Sequence, residues 1–112
     1  PTIITRTDML EKEPETVRSF LSALERGYRW AADNPDEAAD IVLEFNKDLD
    51  SNFVHASQEY LSKQYVGENG RWGVMEEHMW RNFGDFLAEY DLLQNPFDAK
   101  AAYTNEFLSE GK

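Results

Sequence analysis

Apolar residues recur at steps of three and four along most of this chain, and that period restricts its fold more than any other feature. Val17, Phe20, Leu21, Leu24, Tyr28 and Ala31 form one such face. Ala38, Ile41, Val42 and Phe45 form a second, and Phe53, Ala56, Ser57, Tyr60 and Leu61 a third. Met79, Phe83, Phe86, Leu87 and Tyr90 form a fourth. Each predicts an amphipathic helix with its apolar side inward. Phe20 and Phe83 stand at the centre of such stripes and are expected in the core. Only residues 2–5, all β-branched, read as a strand. A lone strand leaves its backbone groups without partners, so it frays or pairs outside the sequence. The expectation is a mainly α chain of five or six helices with a short N-terminal strand.

Local punctuation agrees with that division. Thr7 is placed to cap a short helix over residues 8–12, and Pro14 suits the first position of the next. Asn34-Pro35-Asp36-Glu37 has the form of an N-cap, a first-turn proline and a capping-box acid. Asp50 caps a fourth helix, with Leu49 and Val54 spaced for a hydrophobic staple. Gly67, Gly70 and Gly73 mark an irregular loop that holds Arg71 and Trp72. A fifth helix is expected over residues 76–90. Asn95-Pro96 breaks the chain, and Asp98 caps a short sixth helix.

The 112 residues fit one helical domain, residues 1–112. With 22 acidic and 11 basic side chains the net charge is -11, a surface that repels phosphate backbones, so nucleic acid is not an expected partner. The hydrophobic fraction of 41% is too high for a disordered acidic tail. The absence of cysteine removes disulfides, thiol nucleophiles and thiolate metal sites. No apolar run approaches the roughly 20 residues of a membrane span. The sequence opens on Pro1 without an initiating Met or a signal-peptide pattern, and it reads as a segment of a longer protein.

Catalytic chemistry finds little support. The two histidines, His55 and His78, have no second histidine at ligand spacing. His55 and Glu59 share a helix face and read as a surface pair. Gly67, Gly70 and Gly73 have no strand before them and no lysine to meet phosphate, so they form a loop rather than a phosphate cradle. Neither a metal nor a cofactor is expected, and the chain does not read as an enzyme. The aromatics are more informative. Trp30 lies off the apolar stripe of its helix and Trp72 lies between glycines. Each covers either the edge of the core, the more frequent case, or a partner surface or flat ligand.

Several blocks together resemble a known family. They are Glu13-Pro14-Glu15-Thr16-Val17-Arg18 with Phe20-Leu21, then Gly27-Tyr28, Ala31, Asn34-Pro35, Glu37-Ala38 and Ala56-Ser57-Gln58-Glu59-Tyr60-Leu61. Arg71-Trp72-Gly73-Val74-Met75, Trp80 with Phe83, and Tyr103-Thr104-Asn105-Glu106-Phe107-Leu108 complete the set. This resembles the C-terminal third of ABC-transporter solute-binding proteins of the thiamine-pyrimidine-precursor (hydroxymethylpyrimidine) type, related to nitrate, sulfonate and taurine binders. Glu13 departs from the family's usual Asn cap, and Glu76-Glu77 from its usual Asp-Pro.

The resemblance implies a bundle-like helical segment of a two-lobe α/β periplasmic-binding-protein fold. It implies capture of an aminopyrimidine-like thiamine precursor and delivery to an ABC permease. It also implies a periplasmic or extracellular protein, membrane-anchored at full length. The family's ligand site is built mainly upstream, and within this chain Trp72 and Tyr60 are the ligand-binding candidates, since a flat heterocycle favours aromatic stacking. The alternative is a stand-alone acidic helical protein-interaction domain. In either case amphipathic helices in so short a chain are expected to leave apolar faces open, and the isolated chain to pair as a homodimer.

Overall fold

Five α-helices follow the apolar periodicities: α1 (Thr7–Lys12), α2 (Pro14–Asp33), α3 (Pro35–Phe45), α4 (Ser51–Ser62) and α5 (Glu77–Glu89). A 3₁₀ turn, Ala99–Ala101, stands where the sixth helix is expected. The computed structural model describes residues 2–67 and 70–109. Asp50 caps α4 as expected, its Oδ1 accepting from the Phe53 N–H at 2.8 Å. Asp98 accepts from the Lys100 N–H at 3.0 Å, and the turn it caps closes after three residues.

Other local expectations are corrected. Among the described residues no strand forms, and residues 2–5 run exposed with no ladder partner. Their β-branching favours extended backbone, but a strand exists only where a second one completes its hydrogen bonds. Thr7 lies inside α1. Arg6 occupies the cap position instead, and its guanidinium grips Asp8 with two 3.0 Å bonds. Asn34 does not cap α3 with its side chain: its Nδ2 donates back to the Trp30 carbonyl at 2.8 Å, closing the end of α2. A junction of one residue between two helices has one amide to spend, and here it serves the helix behind it. Leu49 stays exposed although Val54 is buried, so the staple is at most half made.

Helices α3 and α4 pack against each other most extensively, α2 lies against both, and α1 lies on α2. Among the described residues the backbone of α5 comes within 8 Å, Cα to Cα, of none of these four helices and approaches only the 3₁₀ turn. Among the described residues the buried apolar set is small: Ala38, Ala39, Val54 and Trp72. The expected core positions Phe20 and Phe83 are 56% and 55% exposed. The periodicity is right, but among the described residues no second layer buries these faces.

The shape carries the same message. A folded monomer of 13.0 kDa is expected to expose about 6,300 Å², and this one exposes 9046 Å². Its radius of gyration is 17.1 Å, against about 13 Å for a domain of this length. Helix faces without cover contribute to the excess of roughly 2,700 Å² relative to that scaling.

Candidate functional site

Trp72 of the glycine-rich loop, Tyr28 of α2 and Tyr65 come together in one cluster. Trp72 is 8% exposed and lies against Tyr28 of α2, with ring centroids 5.6 Å apart. Tyr65, just after α4, meets Tyr28 edge-on at 5.1 Å. The Tyr65 hydroxyl donates to Gln58 Oε1 at 2.9 Å, and the Gln58 amide donates to the Ala31 carbonyl at 3.4 Å. Trp72 thus closes the edge of the small core and is half of an aromatic pair. Tyr60, the other candidate, is 67% exposed on α4. No ring contact joins it to Trp72 among the described residues.

Loop geometry explains how Trp72 turns inward. Gly70 and Gly73 have φ of 74° and 75°, a left-handed backbone that costs glycine little and most residues 1–2 kcal/mol or so. They bend the chain on either side of Trp72 and set its indole on α2. Arg29 of α2 fixes the loop by donating to the Gly70 carbonyl at 3.0 Å. The same guanidinium binds Glu25 Oε1 through Nε and Nη2 at 2.9 and 2.8 Å. Glu25 also accepts from the Ser109 hydroxyl. That bond is the main cause holding its carboxyl below the ordinary value; burial opposes it, and the bond and charge of Arg29 add to it.

Residues 103–109 cross this region. Asn105 makes a reciprocal pair with the Met75 backbone: its Oδ1 accepts from the Met75 N–H at 3.0 Å and its Nδ2 donates to the Met75 carbonyl at 2.8 Å. Leu108 lies on Gly73, where an added Cβ would sit 3.2 Å from its Cδ2. Arg18 donates to the Glu106 carbonyl and stands 5.1 Å over the Phe107 ring. Tyr103 stacks on Trp80 of α5, with centroids 5.9 Å apart and planes 5° from parallel. Asn105, Arg29, Gln58 and Tyr65 were not singled out by sequence reasoning as site residues. Asn105 and Gln58 lie in the recognised blocks, but nothing in residue type or spacing tells which backbone group each would meet.

The histidines find carboxylates, but not as expected. His55 faces α3, with Nδ1 3.4 Å from Asp36 Oδ1 and Nε2 3.2 Å from Asp40 Oδ1. Glu59, the expected partner, pairs with Lys63 at 3.5 Å. His78 stands 3.3 Å from Glu76. No group of three or more metal-ligating side chains forms among the described residues. An open hollow beside α5, lined by Gly84, Asp85, Ala88 and Phe97 among others, includes neither Trp72 nor Tyr60.

Comparison with known proteins bears out the resemblance read from the sequence. Residues 1–38 match the family model described as NMT1/THI5 like. Over 110 residues the chain is 29% identical to the riboflavin-binding protein RibY of Chloroflexus aurantiacus, covering 92% of this chain and 31% of that protein. Over 107 residues it is 27% identical to the formylaminopyrimidine-binding protein of Halalkalibacterium halodurans, covering 92% of this chain and 32% of that protein. Both relatives are named as binding proteins, not as enzymes. The chain spans about a third of the length of each.

Proposed function

We propose that this chain is the helical C-terminal part of an ABC-transporter solute-binding protein that captures an aminopyrimidine-like thiamine precursor for import. The observation that carries the reading is similarity along 92% of the chain to two binders of flat nitrogen heterocycles, each about three times as long. The uncovered faces of α2 and α5 support it, since a helical layer of a larger protein leaves such faces for the rest of the molecule. On this reading the protein works outside the cytoplasmic membrane, anchored to it, and hands its ligand to a permease. Trp72 and Tyr60 are the aromatic positions offered to the heterocycle. Tyr60 is open to contact, whereas Trp72 would contribute through the edge of its cluster.

The test is calorimetry on the full-length protein that carries this segment, with formylaminopyrimidine, hydroxymethylpyrimidine and riboflavin as ligands. Binding of a pyrimidine in the micromolar range or tighter, weakened by Tyr60→Ala or Trp72→Ala, is expected. Binding of none of the three removes the reading. The isolated chain is expected to bind none of them tightly, because a single wall neither desolvates nor orients a small ligand.

The exposed stripe of α5, Met79, Phe83 and Phe86, continued by Tyr90 at its C-cap, favours a second reading: a stand-alone acidic helical domain that docks an apolar partner helix. A coding sequence that extends well upstream with an export signal, beside a permease gene, supports the first reading. A start codon directly before Pro1 supports the second.

A further inference from the structure

We infer that residues 103–109 are a latch: they hold the α5 unit to the α2–α4 block and close over the loop that carries Trp72.

The backbone of α5 comes within 8 Å, Cα to Cα, of neither α1, α2, α3 nor α4. Among the described residues, 70–76 lead into its unit, and residues 103–109 lie against both that unit and the block. Those seven residues touch both sides. Tyr103 stacks on Trp80 of α5. Asn105 clamps Met75, two residues before α5 begins. Leu108 presses on Gly73. Arg18 and Glu25, both on α2, take hold of Glu106, Phe107 and Ser109. The fastening is polar and local, made of a few hydrogen bonds and ring contacts rather than a buried apolar interface. Segments with few buried contacts open at much lower free energy than the block they rest on.

The loop on the other side is built to bend. Gly70 and Gly73 already adopt left-handed backbone and flank Trp72. Releasing Asn105 and Leu108 frees the Met75 and Gly73 end of this loop, while Arg29 still holds the Gly70 end on α2. Opening therefore pivots the α5 unit about the Trp72 segment and uncovers the indole beside Tyr28. Closing restores the buried cluster. The latch does not depend on which ligand the protein binds and stands or falls separately from that reading.

Two measurements on the chain at high dilution test it. Hydrogen exchange in Asn105→Ala and Leu108→Ala is expected to quicken by about tenfold in residues 70–76 and 103–109 for the lost contacts. Exchange within α2, α3 and α4 is expected to stay at its original rate. Acrylamide quenching, compared between Asn105→Ala and Asn105→Ala/Trp72→Phe, isolates the Trp72 indole, which is expected to become more quenchable than in the unaltered chain. Unchanged exchange in residues 70–76 overturns the inference. So does equal loss of protection throughout α2–α4, because residues 103–109 would then be part of the fold and not a latch. Quickened loop exchange with an unchanged Trp72 also overturns it, since the strap would not cover the indole. Asn105→Asp gives a second variant of nearly the same shape. It places a carboxylate oxygen against the Met75 carbonyl and is expected to open the latch as Asn105→Ala does.

Discussion

Gly84 shows how one missing side chain can position a helix. A Cβ there would run into the Phe97 ring, so α5 and the segment after it can approach only because the residue is glycine. Gly84→Ala gains up to about 1 kcal/mol of helix propensity but forces Phe97 aside, a clash of about 1–3 kcal/mol. Net destabilisation is expected in chemical denaturation. In a Phe97→Ala background the same change is expected to stabilise, and a failure of the sign to reverse would show that the ring is not the obstacle. Asp91 is the complementary case. It has φ of 54° just past the end of α5. Its N–H bonds the Ala88 carbonyl at 3.1 Å, and the Leu92 N–H bonds the Leu87 carbonyl at 2.9 Å. This paired closure of a helix usually employs glycine. Asp91→Gly is therefore expected to raise stability by up to about 1 kcal/mol, read from the thermal midpoint.

Among the elements, Glu25 links α2 to residues 103–109, and its ionisation sets a pH limit on that contact. Its carboxyl lies below the ordinary value of 4.5 in the folded chain, chiefly through the Ser109 hydroxyl, with burial opposing and Arg29 assisting. A carboxyl lowered on folding stabilises the fold above its unfolded value and loses that contribution as pH falls through the folded one. The link is thus complete at neutral pH and expected to weaken below about pH 4.5. Protection of the Leu108 amide, corrected for the intrinsic pH dependence of exchange, should fall in that acid range, and Glu25→Gln should remove the dependence. The element order was legible because helix periodicity and caps are local: α2, α3 and α5 begin within a residue or so of where Pro14, Pro35 and Glu76 put them. Burial was not legible. Phe20 and Phe83 carry the right period, yet what meets a stripe depends on elements far away in sequence, or outside it. The cluster about Trp72 was half legible, through the glycines beside it. Its partners Tyr28 and Tyr65 are set by tertiary packing, which no spacing rule records.

At the scale of the whole molecule, the roughly 2,700 Å² of surplus surface exceeds what one partner of a standard protein interface covers, about 800 Å². Ile41, Val42 and Phe45 of α3 and the stripe of α5 contribute to it. The isolated chain is therefore expected to self-associate, most simply as a two-fold homodimer. Its charge of -11 opposes association, and salt screens that repulsion beyond about 8 Å at physiological strength. Added salt should then strengthen association in sedimentation, and a monomer at high concentration and high salt would refute the expectation. The position of residues 103–109 also bears on how the molecule is made. The contacts among α1 to α4 join segments that are near in sequence, and a nascent chain can begin to form them as soon as α4 has left the ribosome. Helix α5 follows with no helix of that block to rest on, and what fastens it lies further downstream. During synthesis it must wait, apolar stripe exposed, until Asn105 and Leu108 emerge. A pause in synthesis that leaves α5 outside the ribosome while Asn105 is still inside it would lengthen that interval, and a holdase chaperone would find its substrate there.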